Sequence, residues 1–156
     1  MNPASPSRMV VGVSSSDLGR TMAAALQMEG VERGWVVHGT IGLDEISPQG
    51  TTMVWEFDAN DINEFTVCPS DFGLAEHTLD KVVGGNASAN AQVMRKLLDG
   101  ELHGPILDFV LMNTAALLLV GGKASNLREG VSLARESISS GAAKKQLEAF
   151  IDITRK

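Results

Sequence analysis

The chain has 156 residues, 44% of them hydrophobic, and a net charge of −6 with a pI near 5.0. That composition supports one core and one domain, and it excludes the basic stripe that nucleic-acid binding needs to displace counterions from phosphates. The single Cys68 cannot form an intramolecular disulfide, which fits a reducing compartment, and it reads as a small apolar filler.

Residues 1–8 carry Pro3 and Pro6 and no apolar core of signal-peptide length, so they read as irregular. Residues 9–13 form a β-branched strand, Ser14-Ser15-Ser16-Asp17 reads as a helix cap, and Leu18, Met22 and Leu26, at four-residue steps, mark an amphipathic helix that Gly30 ends. Trp35-Val36-Val37 is the next strand. A strand, helix and strand in that order call for a right-handed crossover into a parallel pair, which makes the fold class α/β. Residues 53–57 and 62–67 alternate in polarity around Asp58-Ala59-Asn60-Asp61 and read as a β-hairpin.

The remainder is helical. Residues 88–99 stop at Gly100, Asn126-x-x-Glu129 opens a helix carrying Leu127, Val131, Ala134 and Ile138, and a tail follows with Leu147 and Ile151. Between them, residues 106–120 are apolar nearly all round, entered at Pro105 and stopped at Gly121-Gly122. The run is short for a bilayer and contains Asp108, Asn113 and Thr114, so it reads as a buried helix and not a membrane span. Asn113 is then a hydrogen-bonded core amide.

Chemistry concentrates after the second strand. Asp44 and Glu45 are the only adjacent carboxylates, and residues 34–80 contain nine acidic residues and no Lys or Arg. Ligands of α/β sheets bind beyond the carboxyl ends of strands, and neighbouring carboxylates repel unless a cation lies between them. The pair is a candidate magnesium site, since that ion takes one or two carboxylates and leaves its other positions to water and phosphates. A solvated acidic loop is the competing reading. Three other positions invite weaker readings. Gly12-Val13-Ser14-Ser15-Ser16 lacks both the dinucleotide fingerprint and the P-loop Gly-Lys-Ser/Thr, so ordinary capping is preferred. Gly84-Gly85-Asn86 reads as a turn before the following helix, and His38 as a satisfied structural histidine. His77 and His103 lie among polar residues and point to nothing.

The strings Trp35-Val36-Val37-His38-Gly39, Gly42-Leu43-Asp44-Glu45-Ile46-Ser47, Asp71-Phe72-Gly73-Leu74 and Gly84-Gly85 with Asn90-Ala91 occur in a specific order. Together with Leu111-Met112-Asn113-Thr114-Ala115-Ala116, Glu129-Gly130-Val131 and Ser140-Gly141, they resemble the C-terminal part of the anthranilate phosphoribosyltransferase family. The resemblance implies a partial α/β catalytic domain over residues 1–156, of the nucleoside phosphorylase and phosphoribosyltransferase type. It also implies transfer of phosphoribosyl from phosphoribosyl pyrophosphate to anthranilate in tryptophan biosynthesis, with pyrophosphate released. The family's acidic Mg2+ motif maps onto Asp44 and Glu45, and the complete enzyme is expected to be a cytoplasmic homodimer.

Four family features have no counterpart in these residues: the helical domain, the glycine-rich diphosphate loop, the basic phosphate-facing segment and the arginine that meets the anthranilate carboxylate. Asn2-Pro3-Ala4 looks like the tail of the family's Gly-Pro-Leu-x-Asn-Pro-Ala segment, so the chain is expected to be a C-terminal fragment, inactive alone. Asn86 departs from the acidic residue expected after the two glycines. Two alternatives stay open: a non-catalytic module that keeps the fold for binding or assembly, and a pyrimidine nucleoside phosphorylase-like enzyme.

Overall fold

The structure, a computed structural model, describes residues 4–155. Of the stretch expected to be irregular, residues 1–3 lie outside the described residues, 4–7 form no strand or helix, and Arg8 already pairs with Arg33. Strand β1 (Arg8–Gly12) leads through a 3-10 turn (Ser16–Leu18) into α1 (Gly19–Met28), and β2 (Arg33–Gly39) returns parallel to β1. The expected serine cap is not how α1 begins. No side chain caps either the turn or the helix; the turn closes through its backbone instead, Leu18 N–H donating to Ser15 O at 3.1 Å. Such tight turns satisfy helix-end groups without a capping side chain.

Strands β3 (Thr52–Asp58) and β4 (Ile62–Val67) form the expected hairpin, with β3 antiparallel to β2. The sheet, in the order β1-β2-β3-β4, is therefore mixed: the parallel pair expected from the crossover is extended by an antiparallel hairpin. Alternation along the strands gives the sheet two faces. Trp35, Val37, Val54 and Val67 point one way, and Val36, Trp55 and Phe57 the other. Each buried tryptophan finds the partner its indole N–H needs in the glutamate directly opposite in register. Trp35 donates to Glu56 at 3.1 Å and Trp55 to Glu64 at 3.0 Å.

Helix α3 (Pro105–Val120) covers the first face, with Leu111, Met112, Ala115, Ala116 and Val120 wholly buried. Behind it runs α4 (Leu127–Ser139), and a Cβ added to Gly130 would stand 2.9 Å from the Ala115 backbone, so only glycine permits this approach. The Asn126-x-x-Glu129 start forms in one of its two expected bonds, Glu129 N–H donating to Asn126 Oδ1 at 2.9 Å; the return bond falls one residue earlier than the spacing predicts, with Glu129 Oε2 accepting from Ser125 N–H at 2.7 Å. Helices α2 (Ala87–Leu98) and α5 (Ala142–Thr154) pack on α4 and on each other, while among the described residues α1 is the one helix on the opposite face of the sheet. Among the described residues, no helix is long and apolar enough to cross a membrane.

Cys68 corrects the sequence reading. It is half-buried at the head of a 3-10 turn (Pro69–Phe72), where Asp71 Oδ2 accepts its N–H at 2.7 Å and lies 3.3 Å from its Sγ. Val67, the residue before it, takes the inward position, so alternation leaves Cys68 outside the core.

Candidate functional site

Residues 40–51 connect β2 to β3 and carry Asp44 and Glu45 at the carboxyl end of β2. The backbone on either side of the pair is tied down. On one side Gly39 N–H donates to Leu43 O at 2.7 Å and Leu43 N–H to Gly39 O at 3.2 Å. On the other, Ile46 has no exposed surface, its N–H donates to Asn113 Oδ1 at 3.0 Å, and Ser47 N–H donates to Thr52 Oγ1 at 2.8 Å. The carbonyl of Asp44 rests on the end of β1, where a Cβ on Gly12 would fall 1.5 Å from Asp44 O. Any other residue at Gly12 would push the loop away.

The outer part of the loop docks on the segment that follows the hairpin. His77 N–H donates to Pro48 O at 2.8 Å, Leu79 N–H to Gln49 Oε1 at 3.2 Å, and Gly50 N–H to Glu76 Oε1 at 2.8 Å. His77 in turn reaches Asp108 Oδ2 through Nε2 at 2.8 Å, and Arg135 donates to Asp108 Oδ1 at 3.3 Å. This link between loop, α3 and α4 joins residues far apart in the chain and was not legible in the sequence. Its one trace there was Asp108 itself, a carboxylate in the first turn of an apolar helix that burial obliges to find a partner.

Most carboxylates of the base-free stretch have structural work. Glu56 takes Arg33 and Trp35, Glu64 takes Trp55, Asp58 accepts from Asn60 and Asp61 N–H in the hairpin turn, and Asp71 holds Cys68. Among the described residues, the Asp44 and Glu45 carboxylates have no hydrogen-bond or ion-pair partner. Glu45 is exposed taken as a whole residue, yet its carboxyl group is partly withdrawn from water. That burial, and secondly the charge of Asp44, push its pKa above the ordinary glutamate value. A cation would relieve both causes. Two hard oxygen donors, with no group of three or more His, Cys, Asp or Glu among the described residues, can hold an ion that keeps several positions for water and substrate oxygen.

The other positions singled out in the sequence stand apart from this pair. His38 is buried, and its Nδ1–H donates to Val13 O at 2.9 Å, the satisfied structural histidine that was expected. In the Gly84-Gly85-Asn86 turn, Asn86 caps α2 by accepting from Ala89 N–H at 3.0 Å, and Gly85 N–H donates to Asn90 Oδ1 at 2.7 Å. His103 lies exposed on the connection before α3.

Known proteins share this fold and sequence. An anthranilate phosphoribosyltransferase of Rubrobacter xylanophilus is 43% identical over 155 residues, covering 99% of this chain and 45% of its own length. The solved Saccharomyces cerevisiae anthranilate phosphoribosyltransferase in complex with 4-fluoroanthranilate superposes with a TM-score of 0.88 at 38% identity. The complex of that enzyme with PRPP and Mg superposes at 0.85 and 41%; in both comparisons 93% of this chain and 42% of the yeast chain are covered. The chain thus spans less than half the length of these relatives. Residues 1–144, from β1 and the acidic loop through α4, match the model of the glycosyl transferase family, a/b domain, and the chain belongs to that family.

Proposed function

We propose that this chain supplies the magnesium-holding part of a phosphoribosyltransferase that moves the phosphoribosyl group of phosphoribosyl pyrophosphate onto the amino nitrogen of anthranilate, with pyrophosphate leaving. The observation that carries this reading is the unpartnered pair Asp44 and Glu45, side by side on a loop whose backbone is anchored on both flanks. Two free carboxylates repel a diphosphate, so the pair can serve such a substrate only with a cation between them. Bound there, magnesium would neutralise the charge that gathers on the departing diphosphate. The chain's own part is placement: Leu43 and Ile46 fix the loop, Gly12 lets it seat on β1, and the ionised forms of Asp44 and Glu45 supply the oxygens.

The yeast relative's complexes with PRPP and Mg and with 4-fluoroanthranilate support these substrates and this metal. Among these 156 residues there is no glycine-rich diphosphate loop, so the groups that meet the phosphates and the anthranilate carboxylate would come from the portion of the relatives that this chain does not span. A cytoplasmic step of tryptophan biosynthesis, carried out by a homodimer when complete, belongs to the same reading.

The test is reconstitution. Alone, the 156-residue chain should form no detectable phosphoribosyl-anthranilate, because electrostatic positioning of the diphosphate is usually the largest catalytic contribution and its cationic side is missing. Mixed with the separately expressed N-terminal half of a relative, it should recover magnesium-dependent turnover that Asp44→Ala and Glu45→Ala each abolish. Turnover indifferent to both substitutions would overturn the metal assignment, and turnover by the chain alone would overturn the division of labour. Stable association with the other half and no recovered activity would favour a binding module.

A further inference from the structure

We infer that Asn113 is a positioning residue for the Asp44–Glu45 pair: its carboxamide holds Ile46 in place from α3 and thereby sets where the two carboxylates stand. The inference rests on the metal reading above. Asn113 lies 67 residues away from Ile46 in the chain, yet it addresses both backbone groups of that one residue. Its Oδ1 accepts from Ile46 N–H at 3.0 Å and its Nδ2 donates to Ile46 O at 3.2 Å. This is the exchange a neighbouring β-strand would make, supplied here by a side chain. The second Nδ2 hydrogen goes to Phe109 O at 3.0 Å, one turn back on α3. Since Ile46 O and Phe109 O can only accept, the end of the amide facing both is the NH2 group, and its orientation is determined.

The consequence falls on the neighbouring residues. Leu43 is locked to Gly39 on one side and Ile46 to Asn113 on the other, so Asp44 and Glu45 are the only two residues between fixed points. A cation site with only two protein ligands depends on how well those ligands are held before the ion arrives. Apolar substitution at Asn113 would leave the N–H and C=O of a fully buried Ile46 without partners. Aspartate would turn a carboxylate oxygen toward Ile46 O, and it would also bring another negative charge to α3 beneath the loop.

That last property separates positioning from bulk charge. The probe is Mn2+ as a magnesium stand-in, titrated into the 156-residue chain and followed by the electron paramagnetic resonance of the free ion. Wild type should bind weakly, and Asp44→Asn or Glu45→Gln should remove the binding. Asn113→Ala should lower the affinity about tenfold, as loss of a group that orients metal ligands commonly does. Asn113→Asp should also lower it, despite the added charge. Leu97→Ala, a buried position on α2, serves as a destabilised control and should leave Mn2+ affinity unchanged.

Wild-type affinity in Asn113→Ala, or tighter binding in Asn113→Asp, would overturn the inference. Binding that ignores Asp44→Asn and Glu45→Gln would instead overturn the metal reading on which it rests. Should the Asn113 variants not fold, hydrogen exchange of the unaltered chain decides. The Ile46 amide should be protected as strongly as that of Val36 in β2, and exchange at open-loop rates would show that the clamp does not hold.

Discussion

On the α3 face of the sheet, Leu111, Met112, Ala115, Ala116 and Val120 are sealed beneath α4, and the same helix reaches out through Asn113 and Asp108 to hold the acidic loop. On the opposite face stands α1, and between it and the edge strand β1 lies a groove of about 590 Å3 lined by Met9, Val11, Met22, Leu26 and Met28. Met28 is 88% exposed. The first face is layered sheet, helix and helix. Among the described residues the second has one helix, and an open apolar groove beside the edge strand β1 is a surface prone to association.

The contrast can be broken most forcefully from the sealed side. Leu111→Ala should cost about 3 kcal/mol, because the surrounding helices cannot collapse into the cavity, and urea denaturation should show it. A loss below 1 kcal/mol would mean that the α3 face is as loose as the other. Gly130→Val should come next, at about 2 kcal/mol, since its side chain must displace the Ala115 backbone.

A smaller effect follows from the start of α4. The Ser125 hydroxyl, and then the Ser125 N–H, hold the Glu129 carboxyl below the ordinary glutamate value of 4.5. A carboxyl whose pKa is lower in the folded than in the unfolded chain contributes stability above the unfolded value and loses it as pH falls through the folded one. Thermal melts should therefore show an acid-side loss of stability that Glu129→Gln reduces; an identical acid limb in the variant would remove Glu129 from the account. Smallest of all should be Met28→Lys on the open face. Stability should stay within about 0.5 kcal/mol of wild type while binding of a hydrophobic dye falls. A large destabilisation there would show that the groove is closed in solution.

How far the sequence was legible differs between the same two faces. Strands, helices and the hairpin were readable from local signals such as the alternation of residues 53–57 and the Asn126-x-x-Glu129 start; the Leu18, Met22, Leu26 steps located α1, although Leu18 and Met22 are exposed and its buried face is Gly19, Ala23 and Leu26. The acidic pair was visible for the same reason, as two adjacent letters. What holds it was not. Asn113 could be read as a satisfied amide, but not as the partner of Ile46, and His77 meets Asp108 only because the loop and α3 pack together. The serine cap and the Cys68 filler failed at the opposite scale. At Ser15 the backbone closes the turn that a serine side chain was expected to cap, and at Cys68 the Asp71 carboxylate takes the N–H of a residue expected in the core.

The hydrogen bonds between Asn113 and Ile46 also carry a kinetic consequence. Closing a contact across 67 residues costs chain entropy that must be met before the contact returns anything, so the acidic loop cannot be set until α3 has docked on the sheet. Residues 40–51 should therefore remain mobile through most of folding and order in its last stage. On the magnesium reading proposed above, the ion binds only the finished chain, and millimolar magnesium should raise the unfolding midpoint by mass action.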